Sequence, residues 1–152
     1  MSTDRPIRVL VAEDYPANAE LLKECLSGGG YSVSLAVNGE EALKMALAEP
    51  PDILLLDVVM PKMDGFEVCR RLKENKLTKD IPILIVSALD SDTDKERGTH
   101  AGADDFLNKP INIFEVLTRV KSLLRVRHLS TDLERALAYI RDLETEKQGK
   151  PH

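Results

Sequence analysis

Two adjacent acids, Glu13 and Asp14, a lone acid, Asp57, a serine, Ser87, and a lysine, Lys109, each follow directly on a short apolar run. Val9 to Ala12 leads into Glu13 and Asp14, Ile53 to Leu56 into Asp57, Ile83 to Val86 into Ser87, and Phe106 to Asn108 into Lys109 and Pro110. Acids for a metal, an acid as nucleophile, a hydroxyl and an ammonium suffice to move a phosphoryl group onto and off an aspartate. They meet only if the four runs are neighbouring parallel strands. The carboxyl ends of such strands line the edge where open α/β sheets bind their ligands.

The patterning supplies those strands. Ile7 to Ala12, Tyr31 to Val37, Asp52 to Asp57, Ile81 to Val86 and Ala103 to Asn108 read as strands, and the third is apolar throughout, as a strand covered on both faces should be. Between them, Pro16 to Leu26, Glu40 to Ala48 and Phe66 to Glu74 repeat their apolar residues at helical spacing. Ser91 to Ala101 is a weaker helix, with little apolar surface and Gly98 inside it. Five alternations predict a doubly wound α/β fold: a five-stranded parallel sheet with helices on both faces. The last helix begins near Ile111 and meets no glycine before Gly149, so it is expected to run on past the sheet. Val126, Leu129, Leu133, Ala136, Ile140 and Leu143 fall at alternating three- and four-residue spacing along it. That is a heptad seam of about two and a half repeats, at the weak end of what supports a coiled coil. A single helix in solvent, or one packed on its own domain, has the same pattern.

Each candidate has an ordinary alternative. Asp57 is the nucleophile for a phosphohistidine or acyl phosphate, or a turn-forming acid after a strand. Glu13 and Asp14 are metal ligands, or an N-cap pair for the helix that follows. Mg2+ takes hard oxygens and keeps several waters, with Mn2+ the alternative ion. The expected direct ligands are Asp14, Asp57 and the backbone carbonyl of Val59, with Glu13 acting through water. Lys109 would neutralise phosphoryl oxygens, held in place by a tight turn at Pro110, for which a cis bond is one route. Ser87 would donate a hydroxyl. Cys25 and Cys69 have no ligand-like neighbours and receive no function.

With 152 residues, the chain has room for one domain and a modest extension: 5–127 for the domain, 128–147 for a helical extension and 148–152 for a disordered tail. A hydrophobic fraction of 43% and a charged fraction of 31% are those of a globular protein. A net charge of −5 disfavours non-specific nucleic-acid binding. With no apolar stretch able to cross a bilayer and no signal-like N-terminus, the expected location is cytoplasmic.

Glu13-Asp14, the segment DVVMPKMDG from Asp57, SAL from Ser87 and GADDFLNKP ending at Lys109-Pro110 keep a characteristic order and spacing. In these motifs the chain, from about Arg5 to Arg127, resembles the CheY-like receiver domain of two-component response regulators. The resemblance implies a flavodoxin-like strand order 2-1-3-4-5, phosphorylation of Asp57 by a histidine kinase or phosphotransfer protein, and a requirement for Mg2+. It implies that Ser87 and Phe106 form the switch. Phe106 stands where the family often has Tyr, and a purely core role is its alternative. Val59 and Leu89 occupy positions that govern water access, and being apolar they predict slow autodephosphorylation. Asp104, Asp105 and Arg119 resemble charged positions in dimers of such domains, with a solvated surface as the alternative. His100 stands where an acid is common. The tail resembles the helical linkers that lead to GGDEF or HD-GYP effectors, which suggests a homodimer and a downstream effector domain as partners.

Two other classes fit less well. Haloacid dehalogenase-like phosphatases share the Asp, Mg2+, hydroxyl and Lys, but usually carry a second Asp where this chain has Val59, and a cap domain for which there is no room. A receiver-like module that is never phosphorylated usually lacks one of the acids or the lysine. The expected protein is therefore a switch and not an enzyme, beyond self-phosphorylation from small acyl phosphates and autodephosphorylation.

Overall fold

The computed structural model describes residues 5–89, 91–127, 129 and 132–148. Strands β1 (Arg8–Ala12), β2 (Ser32–Ala36), β3 (Ile53–Leu56), β4 (Ile83–Ser87) and β5 (Asp105–Asn108) alternate with α1 (Pro16–Gly28), α2 (Gly39–Ala48), α3 (Gly65–Lys73), α4 (Asp92–Ala101) and α5 (Ile113–Val126). All pairings are parallel and the order is β2-β1-β3-β4-β5, the flavodoxin-like arrangement expected. The central strands alternate their side chains between two apolar layers. Val9, Val11, Ile53, Leu55, Leu84 and Val86 meet Leu22 and Leu26 of α1 and Val116, Val120 and Leu123 of α5. Leu10, Leu54, Leu56 and Ile83 meet Ala42 and Ala46 of α2 and Val68, Cys69 and Leu72 of α3.

The helix starts follow their capping chemistry. Asn38, Asp64, Ser91 and Asn112 each accept a hydrogen bond from an amide of the first turn of α2, α3, α4 and α5. The polar helix α4 is explained by Gly98. A Cβ there would lie 3.1 Å from Ile85 Cδ1, so the absence of a side chain lets α4 approach β4 and β5 closely. Arg97 adds a contact over the Phe66 ring, 4.2 Å from its centroid.

The expectation of one long final helix is corrected. α5 ends at Val126, and a second helix, α6 (Asp132–Gln148), packs back against it. The heptad positions accordingly divide. Val126 is buried and Leu129 and Leu143 pack on the α1–α5 layer, while Leu133, Ala136 and Ile140 are exposed. Tyr139, outside the seam, is buried at 8% exposure. A helix that turns back on its own domain needs one apolar face every three to four residues, the same spacing that a partner helix would require. Gln148 closes α6, and 149–152, the rest of the expected tail, lie outside the described residues. Among the described residues no helix is long and apolar enough to cross a membrane.

Candidate functional site

Three backbone hydrogen bonds continue the sheet one residue past its strands. The Glu13 amide donates to Ala36 O at 3.0 Å, the Asp57 amide to Ala12 O at 3.0 Å, and the Lys109 amide to Ser87 O at 3.0 Å. They fix where Glu13, Asp57 and Lys109 leave the sheet, so three distant stretches of chain deliver their side chains to one carboxyl edge, where Ser87 ends a fourth. Glu13 (2% exposed), Asp57 (6%) and Ser87 (0%) are buried, and Asp14 is exposed.

Lys109 organises the acids. Its Nζ lies 2.8 Å from Glu13 Oε1 and 2.9 Å from Asp57 Oδ2. The remaining oxygens are also engaged: Glu13 Oε2 accepts from the Tyr15 amide at 3.1 Å and Asp57 Oδ1 from the Val59 amide at 3.0 Å. Burial pushes the Glu13 carboxyl above its usual range, against the pull of Lys109 and the Tyr15 amide. Burial would lower the Lys109 ammonium, but its bonds to Glu13 and Asp57 outweigh this and raise it. The cation therefore stays charged between two acids.

These contacts bear on two of the alternatives read from sequence. The N-cap of α1 is Tyr15, with no side-chain cap, so the acid pair does not serve that end by N-capping. Asp57 does form the turn expected of an acid after a strand, but with one oxygen only, and the other faces Lys109. Glu13, Asp14 and Asp57 each offer an oxygen within 4.8 Å of the others. An all-oxygen donor set with one exposed member fits a hard cation such as Mg2+, which retains water on its open side.

Ser87 closes β4, and its Oγ accepts from the Leu89 amide at 3.3 Å. Phe106 is half-buried against the cluster of Val58, Phe66 and Ile85. The Lys109–Pro110 peptide bond is cis. Val59 is 54% exposed at the mouth of the site. Asp104, Asp105 and Arg119 lie apart from the acids. Asp104 Oδ2 is 3.2 Å from Lys73 Nζ and accepts from the Ile83 amide, and Asp105 Oδ2 is 2.8 Å from Arg119 Nη1.

Two glycines that shape the site drew no role from sequence. A Cβ on Gly39 would lie 1.8 Å from Met63 O, and one on Gly65 would lie 2.5 Å from Val58 Cα and 2.9 Å from Asp57 O. Gly39 lets the loop after β3 approach the start of α2, and Gly65 lets α3 begin against the end of β3. The Asp-Gly step at Asp64-Gly65 was the available signal for the second; Gly39 had none, because its neighbour is 24 residues away in the chain.

Residues 9–121 match the pattern of the response regulator receiver domain. The response regulator PleD of Caulobacter vibrioides is 46% identical over 126 residues, 83% of this chain and 28% of that protein. The response regulator MprA of Mycolicibacterium vanbaalenii is 47% identical over 120 residues, 79% of this chain and 51% of that protein. The chain thus spans about half or less of the length of these curated relatives. Among solved structures, a response regulator from Chloroflexus aurantiacus superposes with a TM-score of 0.76 at 40% identity, covering 80% of this chain and 99% of that one. Chemotaxis protein CheY4 of Vibrio cholerae gives 0.74 at 30%, covering 78% and 99%. The matched stretch runs from the first strand through most of α5 and contains every acid, hydroxyl and lysine gathered at the carboxyl edge. The chain belongs to the response regulator receiver domain family.

Proposed function

We propose that this chain is a phosphorylation-dependent switch whose acceptor is Asp57 and whose donor is a histidine kinase or phosphotransfer protein. The observation that carries the reading is the Lys109 ammonium within 3 Å of both Glu13 and Asp57, beside the exposed Asp14. An oxygen of Asp57 forms a bond to phosphorus while the donor's P–N bond, or P–O bond in an acyl phosphate, breaks and its electron pair leaves with the donor. Lys109 passes from the free carboxylate to the phosphoryl oxygens, a pairing that costs little reorganisation because the ammonium is already in place.

Asp14, Asp57 and the Val59 carbonyl would hold Mg2+ or Mn2+, with Glu13 acting through water. The ion would supply charge neutralisation at the phosphoryl oxygens. Ser87 and Phe106 would respond to the new group, Ser87 by donating its hydroxyl and Phe106 by turning inward beside Gly98. The product is then a conformation and not a released compound. A homodimer, an effector domain elsewhere in a longer protein and a cytoplasmic location complete the proposal.

Intact mass after incubation with acetyl phosphate and Mg2+ tests it, with Asp57→Asn as control. A single phosphoryl adduct that needs the metal and is lost in the control is expected. Its absence, where a known receiver is labelled, overturns the reading.

A further inference from the structure

Helix α6 buries few of its described side chains. Among its described side chains Tyr139 alone is buried, while Leu133, Leu137 and Ile140 face solvent at 69%, 50% and 51% exposure. Ala138 and Leu143 pack only partly on the α1–α5 layer. Its polar ties include Arg125–Asp142 at 3.1 Å and the Arg135 guanidinium, which lies on Arg127 O at 2.6 Å and Asp80 O at 3.1 Å and 3.8 Å from Asp80 Oδ1. Elements with few buried apolar contacts open well before the whole domain does.

The one buried residue reaches a particular place. The Tyr139 hydroxyl donates to Asp105 Oδ2, the same oxygen that faces Arg119 Nη1 at 2.8 Å. The other oxygen, Asp105 Oδ1, accepts from the Phe106 amide at 2.8 Å. Burial and the Asp105 charge push the Tyr139 phenol well above its usual range, so it remains a donor. One carboxylate therefore joins α6, α5 and the backbone of Phe106.

That carboxylate begins a short edge strand. β5 has four residues and pairs only with β4. Its first residue is Asp105, and the residue after its last is Lys109, which holds Asp57. A strand with one neighbour has fewer bonds opposing a shift than a central one.

We propose that α6 is a releasable latch on the β5–α5 face, fastened by the Tyr139 hydroxyl on Asp105, and that phosphorylation of Asp57 unfastens it through β5. This rests on the reading of Asp57 as phosphoacceptor. Movement of Lys109 onto the phosphoryl oxygens and of Phe106 inward displaces both ends of β5, and the shared Asp105 carboxylate no longer meets Tyr139 in line. Release exposes Tyr139, Ala138 and Leu143 beside the already exposed Leu133, Leu137 and Ile140.

Hydrogen exchange of α6 peptides in the full chain tests this, with intact mass of the same samples reporting phosphoryl occupancy. In the unphosphorylated protein Tyr139→Phe is expected to speed α6 exchange by about tenfold, the scale of losing a hydrogen bond to a charged group. The wild-type protein treated with acetyl phosphate and Mg2+ is expected to match it, and Leu133→Ala to leave exchange unchanged. An adduct with α6 exchange as slow as before overturns the latch and leaves the phosphoacceptor reading standing. Equal acceleration by Leu133→Ala also overturns it, because the hydroxyl would then not be the fastening. No adduct overturns the phosphoacceptor reading and the latch with it. The wild-type comparison needs no variant to fold.

Discussion

Lys109 is the residue on which the site turns. Its ammonium separates two buried acids, and removing it leaves Glu13 and Asp57 facing each other without a counter-charge. Lys109→Met is expected to slow phosphorylation from acetyl phosphate by about 10- to 100-fold, the scale of losing one charged stabilising group from a buried site. Time-resolved intact mass reads the rate, and an unchanged rate would remove Lys109 from the proposed mechanism. Asp57→Asn removes one of three carboxylates gathered round a single ammonium, without breaking the turn to the Val59 amide, so stability is expected to rise by about 1 kcal/mol in urea denaturation. Val59 and Leu89 cannot orient an attacking water. Installing polar residues at both positions is expected to shorten the lifetime of the phosphorylated form, and equal decay in the two proteins would show that these side chains do not govern water access. The cysteines stay outside this chemistry. Burial pushes the Cys69 thiol up to about 12 and raises Cys25 as well, so neither carries a reactive thiolate near neutrality.

Among the elements, the loop after β3 and the segment before it carry the most specific demands. The Gly65 amide donates to Val58 O at 3.0 Å, and no Cβ fits between them. Gly65→Ala is expected to cost about 2 kcal/mol by overpacking, and to slow phosphorylation by displacing Asp57. Equilibrium unfolding and the mass assay check the two effects. At the other end of β3, Asp52 ties three parts of the chain together: its Oδ2 accepts from the Arg8 amide at 2.7 Å and faces Arg5 Nη1 at 3.2 Å, and its Oδ1 lies 3.3 Å from Arg127 Nη1. Burial works to raise its pKa, but Arg5, the Arg8 amide and Arg127 together hold it below the ordinary 3.8. A carboxyl depressed on folding contributes stability that is present above its unfolded pKa and lost as pH falls through the folded value. Asp52→Asn is therefore expected to be less stable than wild type by about 1 kcal/mol at pH 7, a figure reduced for the solvent-exposed Arg5. The gap should close as pH falls below 3.8. Urea titrations at several pH values measure it, and a gap that persists in acid would assign the effect to packing.

At the scale of the whole molecule, the turn-back of α6 changes what a dimer would require. With the helix docked, Leu133, Leu137 and Ile140 are the apolar residues it still offers to a second copy, and Asp105 and Arg119 already serve an internal contact. Light scattering is expected to show a monomer before phosphorylation and a larger species with a phosphoryl mimic. A monomer in both states would remove the coiled-coil proposal for this chain.

The sequence by itself determined the alternation of five strands with helices and the candidate acids, hydroxyl and lysine, each from local chemistry: an apolar run that must be covered on both faces, a capping residue, or a polar residue directly after a strand. The sheet order 2-1-3-4-5 was legible only through the family resemblance, and the break between α5 and α6 was not legible at all. What needed the tertiary structure was every relation between distant segments. That Lys109 bridges Glu13 and Asp57, that Gly39 faces Met63, and that the Tyr139 hydroxyl meets Asp105 are consequences of chain return. Helical periodicity specifies that one face of α6 is apolar. Which surface covers that face depends on how α6 lies against α5 and on the carboxylate at Asp105, and neither leaves a local pattern in the residues of the helix.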